Sequence, residues 1–267
     1  MAEVKSNKPE PKAPKIGEIA PISGNEETGI RHPASDIRRI KTGIEGFDEL
    51  VEGGIEAGSS ALIVGSAGTG KSTFALQFLY EGAVKFNEPG IYISFEETGD
   101  SLKRHALRFG WDFAELEKRN LFRIMEYQPH QVEKLMGEGG GPIRDLVHAI
   151  NAKRLVVDSI TTYSLLFRDE YQKREALLKF FDLLKKWGCT SFILSELSPK
   201  LAEEQEGSVG FLTDSIISLY YQPTGENSVR VHTMEILKMR GTKHTNKVCV
   251  INFDKNGLKI YPDIEVL

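Results

Sequence analysis

Short apolar runs alternate with amphipathic segments along most of the chain from residue 38 onward. Six of these runs are predicted to form strands: Ala61–Val64, Ile91–Phe95, Leu121–Met125, Leu155–Val157, Ser191–Leu194 and Ser215–Tyr220. Runs of this kind are typical of parallel strands that are buried on both faces of a sheet. Residues 171–187 instead place Leu177, Phe180, Phe181 and Leu184 at three- and four-residue spacing, which predicts a helix with one buried face. The alternation predicts an α/β fold with a mostly parallel central sheet flanked by helices.

The pattern changes near the C-terminus, where the helical periodicity disappears. Three further strands are predicted there, at Val229–Leu237, Lys247–Phe253 and Leu258–Tyr261. The tripeptide Lys255-Asn256-Gly257 has the composition of a hairpin turn. We therefore expect antiparallel strands to be added to the parallel sheet near the C-terminus.

The N-terminal segment differs from the rest of the chain in composition. Residues 1–37 hold five of the eleven prolines, and the first aromatic residue of the chain is Phe47. A segment with so little apolar surface cannot offset the entropy lost on ordering it. We predict a flexible Pro-rich arm at 1–37 and one folded domain at 38–267. The arm is interpreted first as a solvated tail, with docking of a regulatory protein partner or an anionic surface as the alternative.

Composition excludes several classes of protein. The 267 residues carry a formal net charge of −4, which is untypical of a protein that coats nucleic acid. No apolar run approaches the roughly 20 residues of a membrane helix, and the first residues lack the apolar segment of a secretory signal. Two cysteines, Cys189 and Cys249, are too few for a disulfide scaffold, so we expect reduced thiols and a cytoplasmic protein.

The strongest motif is a phosphate-binding loop. Residues 65–72 read Gly-Ser-Ala-Gly-Thr-Gly-Lys-Ser, between a predicted strand and a predicted helix at Thr73–Glu81. Backbone N–H groups of such a loop, together with the positive end of the helix that follows, bind phosphate. Lys71 is predicted to bridge the β- and γ-phosphates of ATP, and the Ser72 hydroxyl to ligate Mg²⁺. The predicted ATP-binding residues of this loop are Gly65, Gly68, Thr69, Gly70, Lys71, Ser72 and Thr73.

Acidic residues follow two of the predicted strands. Asp158 ends an apolar strand and is the predicted second metal ligand, with capping of the next helix as the alternative. Glu96 and Glu97 end the strand after the P-loop helix, where a carboxylate can take a proton from an attacking water. The alternative for Glu97 is that it merely begins a helix at Ser101–Arg108. We predict that at least one glutamate of the doublet is catalytic.

These motifs and several others together resemble one family. The further matching segments are Thr42–Leu50, Gly53–Ile55, Phe109–Asp112, Val157–Thr161 and Lys238–His244. They resemble the RecA superfamily, and specifically the KaiC-like ATPases, over about residues 38–262. KaiC itself carries two such domains, so this chain resembles a single-domain KaiC-like protein.

The resemblance implies a homo-oligomer, expected to be a hexameric ring, whose active sites are completed between subunits. It assigns the catalytic role to the Glu96–Glu97 doublet and brings cations to the γ-phosphate of a neighbour's ATP. The segment that implies this contact supplies Lys238, Met239, Arg240, Thr242 and His244. Without the resemblance, Lys238 and Arg240 would be interpreted as exposed side chains on an edge strand.

The resemblance also leaves some properties open. A family position near the nucleobase corresponds to Arg108, so base selectivity is not assigned. The paired hydroxyl residues that accept phosphate in KaiC correspond to Gly210 and Phe211, so autophosphorylation is not expected there. Ser195 and Glu196, at the end of a core strand, are candidates to sense the γ-phosphate, with a capping role as the alternative.

Two other function classes fit parts of the pattern. A RecA/RadA-type recombinase would bind single-stranded DNA through late loops, but Glu196–Gly210 holds four glutamates and one lysine, the wrong sign for phosphate. A non-hydrolysing nucleotide switch would not need the carboxylates of Glu96, Glu97 and Asp158. We therefore expect a slow, Mg²⁺-dependent, regulatory ATPase that acts through protein partners and not through nucleic acid or membranes.

Overall fold

The computed structural model describes residues 37–128, 130–132, 139–196, 209–224 and 229–264. The arm predicted for residues 1–37 lies outside these ranges except for Ile37. The acidic segment Glu196–Gly210 also lies outside them, apart from its two ends. Within the described ranges, no helix is both long and apolar enough to cross a membrane.

Strands and helices alternate through most of the described chain. The strands are β1 (Arg39–Ile40), β2 (Ile55–Glu56), β3 (Ser60–Val64), β4 (Gly90–Ser94), β5 (Phe122–Glu126), β6 (Arg154–Asp158), β7 (Thr190–Ser195), β8 (Ser215–Thr224), β9 (Val229–Met239), β10 (Cys249–Asp254) and β11 (Gly257–Tyr261). The α-helices are α1 (Lys71–Phe86), α2 (Gly99–Leu107), α3 (Phe113–Lys118), α4 (Gly141–Ile150), α5 (Ile160–Ser164), α6 (Glu170–Trp187) and α7 (Val209–Leu212). A short 3-10 helix covers Asp48–Val51.

One large sheet organises the described part of the chain. Its nine strands lie in the order β11-β10-β9-β8-β3-β7-β6-β4-β5, while β1 and β2 form a small separate ribbon. The six strands from β8 to β5 run parallel, and β9, β10 and β11 extend the sheet with antiparallel pairs. The predicted α/β fold with antiparallel strands near the C-terminus is therefore confirmed.

The apolar runs are buried because helices cover both faces of the sheet. Every residue of β3, β4 and β7 is buried. On one face, Phe78 of α1 stacks on Phe192 of β7 with ring centroids 4.0 Å apart. On the other face, α6 buries the side chains whose spacing predicted it, and the helix ends at Gly188 with a φ of 71°. Glycine reaches this left-handed conformation without the steric cost of a Cβ.

Strand β9 is not at an edge of the sheet, because β8 pairs along one side of it and the hairpin of β10 and β11 continues the sheet on the other. The pairs with β10 cover only His232–Met234, however, so the part of β9 that carries Lys238 is paired on the β8 side alone, and Arg240 is exposed. The interpretation of both residues as exposed edge-strand residues therefore stays an alternative. Lys238 lies opposite Ile216 of β8, and Arg240 follows the end of β9.

Arg154 ties the N-terminal segment of the domain to the base of the sheet. Its side chain is 0% exposed, and its guanidinium donates to Glu88 and to the carbonyl oxygens of Lys41, Thr42 and Phe78. Burial lowers the pKa of Arg154, and the Glu88 carboxylate partly offsets that effect. These contacts hold α1, and with it the phosphate loop, against the start of β6.

Candidate active site

The phosphate loop leaves β3 at Val64 and enters α1 at Lys71. Gly68 and Gly70 have φ values of 81° and 95°, where glycine is strongly favoured. A Cβ on Gly70 would also lie 2.4 Å from the ring of Phe253. The N-cap of α1 is Gly70, and no side chain caps the helix. The first N–H groups of α1 are therefore available to an anion.

Lys71 lies across the loop that precedes it. Its Nζ donates to the carbonyl oxygens of Gly65 at 2.8 Å and Ser66 at 3.1 Å. Burial lowers the pKa of Lys71, and the carboxylates of Glu196, Asp158 and Glu96 oppose that shift. The ammonium group is thus held by weak backbone acceptors at the loop, where a phosphate would offer it a charged partner.

Ser72 and Asp158 meet beside the loop. Ser72 Oγ donates to Asp158 Oδ2 at 3.2 Å, and the hydroxyl of Tyr92 donates to the same carboxylate oxygen. Burial raises the pKa of Asp158, while the hydrogen bonds from Tyr92 and Ser72 act in the opposite direction. A hydroxyl and a carboxylate are oxygen ligands of the kind that Mg²⁺ prefers, so these residues fit that metal.

The capping alternative for Asp158 is wrong. The N-cap of α5 is Ser159, whose Oγ accepts from the backbone N–H of Thr162 at 3.3 Å. The carboxylate of Asp158 is left to face Ser72 and Tyr92. Sequence reasoning missed Tyr92, although one signal was present: a tyrosine inside a buried apolar strand needs a partner for its hydroxyl.

Glu96 points from the end of β4 towards the end of β6. Its Oε1 accepts from Ser159 Oγ at 3.1 Å and from Thr162 Oγ1. Its charge also acts on Lys71 and Asp158, where it raises the pKa of both groups. Glu96 is therefore within electrostatic reach of the predicted phosphate and metal ligands.

Glu97 points to α2 instead. Its Oε2 accepts from Ser101 Oγ at 3.1 Å and lies 3.4 Å from His105 Nδ1. The helix itself begins at Gly99, with Thr98 as its N-cap, so the alternative that Glu97 begins this helix is wrong. The two adjacent glutamates are thus held by different elements of the fold.

One cleft of about 500 Å³ brings these groups together. This volume is within the ordinary range for a small-molecule site. The cleft is lined by Ala67, Gly68, Gly70, Lys71, Ser72, Thr73, Glu96, Glu97, Asp158, Glu196, His232 and Phe253. Most of the residues predicted from the phosphate loop and from the two strand ends therefore share one site.

The rings of His232 and Phe253, here called the aromatic wall, line part of the cleft and were not predicted from the sequence. His232 stacks on Tyr221 with ring centroids 4.0 Å apart and meets the edge of Phe253 at 4.9 Å. The Nε2 of His232 donates to the carbonyl oxygen of Gly68 at 3.1 Å. Arg108, the position that the resemblance placed near the base, is the C-cap of α2 and is not among the described residues that line the cleft.

Ser195 and Glu196 lie at the end of β7, next to α5. Thr161 Oγ1 lies 3.2 Å from Ser195 Oγ and accepts from the backbone N–H of Glu196 at 2.9 Å. Glu196 lines the cleft. The candidate γ-phosphate sensor is therefore close to the site, although the loop that follows it lies outside the described residues.

The segment from Lys238 to His244 does not line the cleft of its own chain. Lys238 Nζ donates to the carbonyl oxygens of Gly210 and Thr213, each at 2.9 Å, and Arg240 donates to the carbonyl oxygen of Phe211 at 3.0 Å. Burial lowers the pKa of Lys238, and the charge of Arg240 adds to that effect.

The register of the sheet shows the separation. Met239 lies opposite Ser215, and Ser215 lies opposite Ala61 near the start of β3. The phosphate loop instead follows Val64 at the other end of β3, roughly 10 Å further along at about 3.3 Å per strand residue. In the described ranges, none of Lys238, Met239, Arg240, Thr242 and His244 lines the cleft of the same chain.

The fold and the cleft define a RecA-type P-loop domain built to bind a nucleotide. The chain belongs to the KaiC ATPase family, because the family model described as "ATPase: KaiC" matches residues 40–265. This family membership confirms the resemblance that the sequence motifs indicated.

Individual relatives agree with this assignment. The circadian clock oscillator protein KaiC of Synechococcus elongatus is 33% identical over 234 residues, which cover 85% of this chain and 44% of that protein. A UPF0273 protein of Pyrococcus furiosus is 35% identical over 242 residues, which cover 85% of this chain and 95% of that protein. A KaiC-like protein of Pyrococcus horikoshii has a crystal structure with a TM-score of 0.73 and 37% identity, covering 85% of this chain and 100% of that one. The chain thus spans less than half the length of the KaiC clock proteins that it matches.

Proposed function

We propose that this protein binds ATP in the cleft and hydrolyses it slowly in a Mg²⁺-dependent reaction. The observation that carries the proposal is the meeting of Lys71, the Ser72–Asp158 pair and Glu96 at one cleft. These residues come from three separate strand ends, and each has the chemistry that phosphoryl transfer needs. Nucleotide binding alone would not require a carboxylate placed like that of Glu96.

Each group has a defined task in this reaction. Lys71 and the uncapped N–H groups of α1 bind the β- and γ-phosphates of ATP. Ser72 and Asp158 would hold Mg²⁺, which would neutralise part of the phosphate charge. Glu96 accepts a proton from water as the water oxygen bonds to the γ-phosphorus and the bond to the β-phosphate oxygen breaks. ADP and inorganic phosphate are the products.

The aromatic wall suggests where the base is bound. The rings of His232 and Phe253 face the cleft, and a flat base gains free energy by stacking on such rings. Glu97 also lines the cleft, but its carboxylate is held by Ser101 and His105 of α2, whereas that of Glu96 is held beside Asp158. We assign the proton-accepting role to Glu96.

The assembly is part of the same proposal. Lys238 and Arg240 do not line the cleft of their own chain, which supports a role for them at the nucleotide of a neighbouring subunit. We propose a homo-oligomer, with a hexameric ring as the expected form, in which these cations stabilise the charge of the neighbour's γ-phosphate. We also propose that the protein acts in the cytoplasm. Its proposed role is regulatory, through protein partners that dock on the N-terminal arm.

A phosphate-release assay on the full chain tests the activity. We expect hydrolysis of ATP with Mg²⁺, none with EDTA, and no stimulation by single-stranded DNA. Tight ATP binding with no phosphate release in a single-turnover experiment would instead support the nucleotide switch. Hydrolysis stimulated by DNA, with salt-sensitive DNA binding, would support the recombinase.

A further inference from the structure

Three hydroxyl groups at the start of α5 contact residues on both sides of β6, the strand that ends at Asp158. Ser159 and Thr162 donate to Oε1 of Glu96, and their two hydroxyl oxygens lie 3.2 Å apart. Thr161 turns the other way, towards Ser195 and Glu196 at the end of β7. One short helix thus contacts both strand ends that flank Asp158.

The core of the protein fixes this helix in place. Ile160 and Tyr163 of α5 are each 1% exposed, and the ring of Tyr163 lies 5.5 Å from that of Phe180 in α6. Thr162, between them on the helix, is half-buried. The buried neighbours therefore fix the backbone position of Thr162. Glu96, in contrast, is exposed and follows the end of β4.

An exposed glutamate has several rotamers, and most of them would not face a water at the γ-phosphate. Two hydroxyl groups that bind one carboxylate oxygen select a single orientation and leave Oε2 free to accept a proton. Glu97 does not contact α5 in this way, since its partners belong to α2. The contact therefore distinguishes the two adjacent glutamates.

We propose that Thr162, together with Ser159, is a positioning residue that orients Glu96 for proton abstraction during ATP hydrolysis. This inference rests on the proposed ATPase function and assigns a role to a residue that no sequence motif indicated. Thr162 acts through Glu96 and has no contact of its own with the reacting atoms.

Substitution of Thr162 tests the inference. Thr162→Val keeps the shape of the side chain and removes the hydroxyl, and we expect it to lower kcat about tenfold with KM for ATP unchanged. Thr162→Ser keeps the hydroxyl and should restore kcat to within about threefold of wild type. Ser164→Ala removes a hydroxyl from the same helix that donates to the carbonyl oxygen of Thr161 and not to Glu96, and should leave kcat unchanged.

A double-mutant cycle separates positioning from a loss of structure. Thr162→Val should cause no further loss in a Glu96→Gln protein, because the group that it orients no longer accepts a proton. It should cause the full tenfold loss in a Glu97→Gln protein. Rates in these backgrounds are measured as single turnovers of radiolabelled ATP, which report slow hydrolysis.

Three results would overturn the inference: wild-type kcat in Thr162→Val, no rescue by Thr162→Ser, or an equal loss in the Glu96→Gln and Glu97→Gln backgrounds. Each of them leaves the proposed ATPase function standing. Absence of hydrolysis by the wild-type protein would overturn the proposed function itself and the inference with it.

Discussion

Ser72 Oγ lies 3.2 Å from Asp158 Oδ2 although the two residues are 86 positions apart in the chain. Ser72 belongs to the first turn of α1, and Asp158 is the last residue of β6, so the contact joins the phosphate loop to a strand end two places away in the sheet. The hydroxyl of Tyr92, in the neighbouring strand β4, donates a hydrogen bond to the same carboxylate. This arrangement links the predicted phosphate ligands to the predicted metal ligands.

Replacement of Lys71 should separate ATP binding from folding. Lys71→Ala removes a cation whose hydrogen bonds, among the described residues, go to backbone oxygens of the loop, so we expect the melting temperature to stay close to wild type. ATP affinity should fall about 30-fold or more, since loss of one partner from a close charge pair costs about 2–5 kcal/mol. Isothermal titration with ATP and Mg²⁺ measures the affinity. Lys118→Ala, an exposed lysine on α3, is the control and should bind like wild type. Near-normal affinity of a folded Lys71→Ala protein would contradict the phosphate-loop assignment.

Replacement of Asp158 should raise stability and abolish Mg²⁺-dependent hydrolysis. Burial raises the pKa of Asp158 in the folded chain, so the metal-free protein loses stability as the pH rises above the aspartate pKa of the unfolded chain, and the loss is complete above the raised value. Below the ordinary aspartate pKa of about 3.9 the carboxyl is neutral in both folded and unfolded chains, and the effect disappears. We therefore expect Asp158→Asn to melt at a higher temperature than wild type at about pH 7, with the difference shrinking towards about pH 4.

Melting curves in EDTA across this pH range measure the effect of Asp158→Asn. Asp182→Asn, which changes an exposed carboxylate on α6, is the control and should leave the melting profile unchanged. A lower melting temperature for Asp158→Asn at neutral pH would show that the charged carboxylate stabilises the fold and would contradict the prediction.

The two glutamates of the doublet should differ in their effect on turnover. Glu96→Gln keeps the size of the side chain but cannot take up the proton, so kcat should fall about 10²–10⁴-fold while ATP affinity is retained. Glu97→Gln should cost much less, because Glu97 is bound to Ser101 and His105. Single-turnover hydrolysis and ATP titration of both variants measure the difference. Equal losses would show that the structure does not distinguish the two carboxylates, and an active double variant would place the base elsewhere.

Arg240 should act on a neighbouring subunit. Arg240→Ala should retain ATP binding and lose hydrolysis by roughly 10³-fold or less, the low end for arginine fingers. Activity per wild-type chain should rise with protein concentration as the oligomer forms. Steady-state hydrolysis over a range of concentrations, combined with light scattering, measures both effects.

A mixing experiment gives the sharper test of the shared site. An Arg240→Ala chain keeps the phosphate loop, and a Lys71→Ala chain keeps the arginine. Where the two chains exchange into mixed oligomers, some interfaces pair an intact loop with an intact arginine, and activity should partly return. Mixed oligomers without any recovery would show that Arg240 does not act in trans.

Local sequence was sufficient to predict the main helices and strands of the domain and the motifs that lie on them. Helix α6 was predicted from the spacing of Leu177, Phe180 and Leu184, because a 3.6-residue period places these side chains on one face wherever the helix packs. The phosphate loop was likewise recognisable from its glycines and Lys71. Asp158 could be assigned because the carboxyl ends of parallel strands meet at one edge of a sheet.

The order of the strands, in contrast, was decided only by the tertiary structure. Pairing of β3 with β8, of β8 with β9 and of β9 with β10 sets His232 and Phe253 beside the phosphate loop, while Lys238 and Arg240 do not line the same cleft. The contact of Thr162 with Glu96 likewise depends on the pairing of β4 with β6. Such pairings join segments far apart in the chain and are selected by the burial of both sheet faces together, a property of the whole core that no local pattern contains.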